Sequence, residues 1–328
     1  MSSDIKLKVL LVGLLISTLI FAIVSQMPEE SRIIELETNH LVQLDPHEHD
    51  AGEAVEDVGH QHVLYSPILS APYDAWIHEM SFDIVNAPDT TVHHVTLFDL
   101  DRPHQTCKNI HGEQLIGFSQ DNMFSSDLRF PKGMGMHIKK GDRLFLSVME
   151  HNPLPPMGPG GIYRDVYGKI SLRITEDTGT SNLKNVHFQL LHLDQEPCNS
   201  FFVDGTPAFI FGVPAHSKNY TYAGTHRLND PSEFTFKSTS TIVHIGGHLH
   251  GWQGGKIVTV RRNDQPFLNF PTTRSQANPY LFNTVNYMTD LKMLPGDHLS
   301  LSTVYDNPGD VPIRGAMGDL GIYYYEQN

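Results

Sequence analysis

The sequence predicts an all-β fold, with two tandem antiparallel β-sandwich domains of jelly-roll-like type after an N-terminal transmembrane helix. Short runs rich in valine, isoleucine, threonine and aromatic residues follow one another from about residue 64 to the C-terminus, and turn residues separate them. No long stretch in that region places apolar residues at helical spacing. One uncharged apolar segment lies near the N-terminus.

The apolar segment covers residues 9–24, and Lys6 and Lys8 precede it. A spanning helix needs about 20 residues, so the flanks must complete this one. Lysines on the N-terminal side place that end in the cytoplasm and the rest of the chain outside. We therefore predict that residues 1–28 form a membrane anchor, with a cleaved signal peptide as the alternative. In either case the body of the protein is extracytoplasmic, on the extracellular or periplasmic side.

Three segments follow the anchor. Residues 29–63 are acidic, contain scattered histidines and show little periodicity, which is typical of a linker. The β-type runs then fill residues 64–178 and 186–328, and the polar sequence EDTGTSNLKN marks the boundary between them. Each of the two β regions is long enough for a β-sandwich.

Charge and composition narrow the function. The chain has 23 basic and 37 acidic residues and a net charge of −14, which argues against nucleic acid as a partner. Its 20 histidines matter because histidine is the commonest metal ligand among side chains. The two cysteines, Cys107 and Cys198, exclude a cysteine-based zinc framework and allow at most one intrachain disulfide.

His248 and His250 are the first candidate ligands. They are separated by one residue, so both side chains project from the same face of an extended strand and form a ready chelate. Simple packing is the alternative for such a pair. His244 would share that face on an unbroken strand, but Gly246 and Gly247 are expected to interrupt it, which leaves His244 to packing or to an outer shell.

His93, His94 and His151 are the candidates in the first half. His93 and His94 are adjacent, so they can bind one metal only at a bulge; otherwise one is buried and the other exposed. His151 ends the apolar run LFLSVMEH beside a loop rich in proline and glycine, where it can reach a neighbouring strand end. Met317 precedes the strand-like run IYYY, and a methionine in such a position usually fills a core gap.

The order and context of these segments resemble the copper type II, ascorbate-dependent monooxygenases, the family of peptidylglycine α-hydroxylating monooxygenase and dopamine β-monooxygenase. DTTVHHVTLFD resembles the family's paired-histidine strand, and RFPKGMGMHIKKGDRLFLSVMEH resembles its approach to a third histidine, with one extra residue before His151. VHIGGHLHGWQGGKIV resembles its His-x-His strand, and RGAMGDLGIYYYEQ its terminal methionine strand. The matching segments run through most of the chain after Tyr73.

The resemblance implies two copper ions. It assigns one to His93, His94 and His151, and it assigns the other, which in the family binds dioxygen, to His248, His250 and Met317 as the catalytic group. A thioether favours Cu(I), whereas imidazole accepts both oxidation states. The implied reaction is hydroxylation of a C–H bond of a small organic substrate by O₂, with ascorbate or another external electron donor. The sequence identifies no ascorbate site and does not set the oligomeric state.

The chain departs from the family at several points. The best-known members carry several disulfides, and this chain has two cysteines. Residues 318–321 lack the cysteine and the aromatic residue that follow the methionine in peptide-amidating members. Gly246 and Gly247 replace the basic and apolar residues that help to hold a peptide carboxylate there. We therefore do not expect peptide amidation.

Alternatives come from other classes of protein. A non-catalytic extracytoplasmic copper-binding or copper-delivery protein on the same scaffold would explain the histidine-containing linker and the missing peptide-binding residues. A dinuclear metallophosphoesterase shares the GHLH fragment but needs an upstream Asp-x-His strand and a Gly-Asn-His element, and the sequence lacks the Gly-Asn-His element. A blue-copper carrier needs a methionine close to its cysteine and histidine, and Cys107 has none nearby.

Overall fold

A computed structural model of the protein describes residues 31–46, 62–104, 111–119, 127–152, 159–193, 211–224, 230–250, 254–274, 282–283 and 286–327. The predicted anchor and both cysteines lie outside these ranges. Among the described residues, no helix combines the length and the apolar character that a membrane crossing requires.

The described part of the chain is almost entirely β structure, which confirms the all-β part of the predicted fold. Its only helical element is a 3-10 turn over Asp89–Thr91. The strands, in chain order, are β1 Arg32–Glu37, β2 Leu41–Leu44, β3 His62–Tyr65, β4 Leu69–Ser70, β5 Ala75–Val85, β6 Val92–Pro103, β7 His111–Ser119, β8 Asp127–Arg129, β9 Met134–Ile138, β10 Arg143–Glu150, β11 Tyr163–Glu176, β12 Lys184–His192, β13 Phe211–Val213, β14 Ser217–Ala223, β15 Glu233–Thr235, β16 Ser240–Leu249, β17 Gly255–Arg262, β18 Gln265–Pro271, β19 Thr273–Arg274, β20 Phe282–Asn283, β21 Asn286–Met293, β22 His298–Asn307, β23 Ile313–Ala316 and β24 Gly318–Glu326.

One ten-stranded sheet runs through both halves of the chain. Its order is β1-β11-β5-β9-β12-β24-β16-β21, with β2 beside β11 and β8 beside β5. The first half of the chain provides β1, β2, β5, β8, β9 and β11, and the second half provides β12, β16, β21 and β24. The two groups join where β9 and β12 pair in parallel, with Lys184 opposite Met134 and Asn185 opposite Gly135. All the other strand pairs described are antiparallel.

Each half adds a five-stranded sheet of its own. In the first half this sheet has the order β3-β10-β6-β7, with β4 beside β10; in the second half it has the order β14-β22-β17-β18, with β15 beside β22. Two hydrophobic cores follow, and each takes buried side chains from both kinds of sheet. Alternation sets the buried faces: in β11, Val166, Ile170 and Leu172 are buried, and exposed or half-buried residues lie between them.

The strands β12, β24 and β16 present different faces to the two cores. Leu191 and Leu320 pack in the second core, whereas Phe188 and Tyr323 pack in the first core. The Phe188 ring lies so close to Gly321 that a β-carbon there would come within 3.0 Å of the ring. One face of this part of the sheet is therefore packed against the first half, and that face carries the candidate ligands of β16.

The prediction of a linker over residues 29–63 is wrong for its first part, which forms the strands β1 and β2. β1 pairs with β11 along its whole length, and β2 pairs with the other end of β11. Leu36 lies in the first core, and the His40 ring stacks on Tyr167 with centroids 4.0 Å apart. β1 is otherwise largely exposed, so its sequence lacks the hydrophobic alternation that would predict a strand. β3 also begins ahead of the predicted domain boundary at residue 64.

Candidate metal centre

A bulge at the start of β6 brings His93 and His94 together. β10 pairs with β6 so that Met149 lies opposite His94 and Glu150 lies opposite Val92, and the register therefore shifts past His93. Such an irregularity lets two adjacent side chains turn to the same side. The two imidazole centroids are 4.1 Å apart, with 30° between the ring planes. The structure thus provides the bulge that adjacent histidines need if they are to bind one metal.

His151 joins this pair from the end of β10. Its backbone N–H donates to the carbonyl oxygen of Thr91 over 2.6 Å, which holds the end of β10 against the start of β6. The His151 and His93 ring centroids are 5.7 Å apart. The next residue, Asn152, is buried and donates through its side-chain amide to the carbonyl of Gly161 over 2.7 Å. His94 and His151 therefore both lie next to His93, so the three histidines predicted for the first half form one group.

His248 and His250 lie on one side of the sheet at the end of β16, with ring centroids 5.2 Å apart. Both are buried. Gly246 and Gly247 do not interrupt the strand as expected, because the irregularity in β16 falls between Ile242 and His244. Regular pairing with β24 continues through the two glycines and keeps the alternation that the His-x-His spacing requires.

Tyr305 links His250 to Met317. Its hydroxyl accepts from the backbone N–H of His250 over 3.2 Å and donates to the carbonyl oxygen of Met317 over 2.6 Å. Leu249 lies opposite Gly318 in the last pair of the ladder, and His250 and Met317 are the residues just beyond that pair. Both Tyr305 and Met317 are buried. Tyr305 was not predicted as a site residue, since its only signal in the sequence is the alternating pattern of HLSLSTVYDN.

The two predicted ligand sets touch each other. The Nε2 atoms of His93 and His250 are 3.0 Å apart, and the His94 and His248 ring centroids are 4.8 Å apart. Ligand atoms of His93, His248 and His250 all lie within 4.8 Å of one another. This grouping takes one histidine from the first predicted set and two from the second, a combination that the family resemblance did not imply.

Burial keeps the imidazoles of His93, His94 and His248 neutral at ordinary pH. Loss of solvation, with repulsion from the neighbouring histidines, holds the pKa of His93 well below 6.5, and the same two causes lower the pKa of His94. Loss of solvation lowers the pKa of His248 to about 3. A neutral imidazole is the form that donates its lone pair to a metal.

The residues present fit a metal ion such as copper. The Nε2 atom of His94 is buried and has no hydrogen-bond partner among the described residues. A buried polar atom in that state costs about 1–3 kcal/mol, and coordination would remove the cost. The imidazoles supply nitrogen donors, and Met317, whose carbonyl oxygen shares the Tyr305 hydroxyl with the His250 N–H, would add the soft sulfur that copper accepts.

His244 takes the packing role expected of it. Its ring lies edge-on to Tyr323, with centroids 5.4 Å apart and 70° between the planes. His244 and Tyr323 are partners on the adjacent strands β16 and β24, and the Tyr323 ring itself packs in the first core.

Comparisons with known proteins add nothing to the assignment. No family model and no curated protein matches the chain. Among solved structures, the major capsid protein P2 from bacteriophage PM2 is similar at a TM-score of 0.35 and 8% identity, over 90% of this chain and 98% of that one. The STIV MCP is similar at a TM-score of 0.35 and 10% identity, over 90% of this chain and 97% of that one. Scores this low carry no conclusion about family or function.

Proposed function

We propose that this protein is a copper-dependent monooxygenase that hydroxylates a C–H bond of a small organic substrate, with O₂ and an external electron donor such as ascorbate. One observation carries the proposal: five histidines that the sequence singled out meet in one buried cluster. Its members lie up to 157 residues apart in the chain, and the ring centroids of the other four lie 4.1–5.7 Å from that of His93.

The proposal includes the architecture on which the chemistry depends. Each half is a jelly-roll-like β-sandwich, and the chain is anchored by its N-terminal segment with the body outside the cytoplasm. One copper belongs to the set around His151, and the other belongs to His248, His250 and Met317. Two hydrophobic cores and the sheets that flank them support the two-sandwich division.

The chain's own residues bind and orient. When bound, copper supplies the redox chemistry with O₂. The imidazoles would hold the ions, and the packed strands around them exclude bulk water. Tyr305 fixes the backbone on either side of the second site, because one hydroxyl bonds both His250 and Met317.

A non-catalytic copper-binding or copper-delivery protein is the second candidate. The observation that favours it is the 3.0 Å approach of His93 to His250. One ion held by His93, His248 and His250 would join the two halves, and such a site could store or transfer copper without a substrate.

Copper stoichiometry and oxygen consumption separate the two functions. The enzyme is expected to bind two copper ions per chain and to consume O₂ with ascorbate faster than the same concentration of free copper. Met317→Ala should abolish this consumption, whereas Met288→Ala, at a methionine that is 47% exposed, should leave it unchanged. One copper per chain, no oxygen consumption and ready release to a chelator would establish the delivery function instead.

A further inference from the structure

We infer that Asp319 is a positioning residue for the metal centre, whose carboxylate orients the His248 ring and stabilises the more highly charged oxidation state of the bound metal. The inference rests on the proposed copper binding. It concerns a residue on β24 that the family resemblance did not mark as a ligand.

Asp319 lies in a row of three residues on adjacent strands. It is directly opposite His248 on β16, and on its other side it is directly opposite His192 on β12. Residues opposite each other in an antiparallel pair project from the same face, with β-carbons about 4.5–5.5 Å apart. The Asp319 side chain therefore projects between those of His192 and His248, on the face that carries the candidate metal ligands.

The row is buried throughout. The exposed fraction is 0% for His192, 5% for Asp319 and 3% for His248. The opposite face of the same strands carries Leu191 and Leu320, which pack in the second core. A carboxylate at such a position is costly to bury, and charge or hydrogen-bond partners must compensate for that cost.

The donor set explains why a carboxylate is placed there. Its ligands are imidazoles and a thioether, which carry no charge when they bind a metal, so a Cu(II) ion would bring two uncompensated positive charges into a buried site. Asp319 is the acidic residue directly across the ladder from a ligand. A histidine that binds a metal through one ring nitrogen commonly donates its other N–H to a carboxylate, which fixes the ring and raises its basicity.

The test compares the affinities of the full chain for Cu(I) and Cu(II) in wild type, Asp319→Asn and Asp319→Glu. Outer-shell carboxylates of this kind contribute about 10–100-fold to metal affinity. In Asp319→Asn, which removes the charge, we expect Cu(II) affinity to fall in that range and Cu(I) affinity to fall about tenfold less. A Cu(II) affinity that falls tenfold more than the Cu(I) affinity raises the one-electron reduction potential of the bound copper by about 59 mV. Asp319→Glu keeps the charge and should show a smaller split.

Asp297→Asn is the matched control, because it removes a buried carboxylate of the second half that bonds Arg262 and Asn263, away from the histidine cluster. It should leave both copper affinities unchanged. Equal losses for Cu(I) and Cu(II), or equal splits in the Asn and Glu variants of Asp319, would assign the residue a shape role only and overturn the inference. If Asp319→Asn does not fold, an unchanged Cu(II) electron paramagnetic resonance spectrum in Asp319→Glu would overturn it. A wild type that binds no copper would instead refute the proposed function itself.

Discussion

In each of the two ligand-bearing regions a pair of histidines projects to the same side, but the backbone arrangement that causes this differs between them. In the first half, adjacent histidines share a side because the β10–β6 register shifts past His93. In the second half, His248 and His250 share a side because an unbroken stretch of strand alternates regularly between them. The first arrangement depends on a register shift between β10 and β6, and the second depends on regular pairing between β16 and β24.

The difference extends to what supports each region. Glu150 and Met149 of the neighbouring strand flank the bulge, and Glu150 is buried, which raises the pKa of its carboxyl to about 8. The His248 and His250 pair has a hydroxyl bridge instead, from Tyr305 to both His250 and Met317. His93 lies where the regions meet, in contact with histidines of both.

Removing His93 should have the largest effect, since it would act on both regions at once. In His93→Ala we expect the affinity for both copper ions to fall by at least about 100-fold, because a ligand contributes more than the outer-shell groups that give 10–100-fold. In His151→Ala only one of the two ions should be weakened. Isothermal titration of metal-free protein with Cu(I) measures both.

His216→Ala is the control for these titrations, because the His216 side chain is 68% exposed. It should bind copper as the wild type does. If His93→Ala weakened one ion and left the other at wild-type affinity, the two sets would act independently, and the contact between His93 and His250 would have no role in binding.

Tyr305→Phe tests the support of the second region alone. The substitution leaves the backbone N–H of His250 and the carbonyl of Met317 without their shared partner in a buried place. We expect a loss of about 1–3 kcal/mol in the free energy of unfolding, together with weaker binding at one copper site. Urea denaturation and copper titration check the two effects. Tyr220→Phe, at a half-buried tyrosine of β14, is the matched control and should be close to neutral. Unchanged copper binding in Tyr305→Phe would show that the hydroxyl bridge does not support the copper site.

The predictability of the fold follows the exposure of its strands. The runs in β6, β10 and β22 alternate or are largely buried, so pattern alone marked them. β1 and β2 were not predicted because β1 is largely exposed, β2 has only four residues, and pairing with β11 decides the structure of both. Local pattern also gave no sign that β9 and β12 would join the two halves in one sheet, since that contact depends on long-range packing.

The site divides in the same way. The shared face of the His-x-His pair follows from strand geometry. The adjacent pair can share a side only at a bulge, and the sequence did not predict whether a bulge is present. The direct contact between the regions could not be predicted, because it depends on how β12, β24 and β16 pack against the first half. Tyr305 and Asp319 escaped for a related reason, since their roles come from the strands opposite them.

The two halves also differ in their carboxylate–arginine clusters. In the second half, the hydrogen bond from Arg262 lowers the pKa of Asp297 to about 2, and the backbone N–H of Leu294 acts in the same direction. In the first half, burial raises the pKa of Asp99 to about 6, although Arg102 lies 2.8 Å from its carboxylate. Arginine pairing dominates in one cluster, and loss of solvation dominates in the other.

The pH dependence of unfolding should therefore have opposite signs at these carboxyls. The folded pKa of Asp297 lies below the unfolded value of 3.8, so its stabilisation is complete above pH 3.8 and is lost as the pH falls towards 2. At pH 7 Asp297→Asn should cost about 1–2 kcal/mol, and the cost should shrink below pH 4. Asp99, with its raised pKa, stabilises the fold at acid pH and loses that effect as the pH rises from about 4 through 6. Asp99→Asn should accordingly flatten the stability profile between pH 4 and 6. Urea denaturation of metal-free protein from pH 3 to 7 measures both profiles, and equal slopes in the two variants would mean that the clusters do not differ.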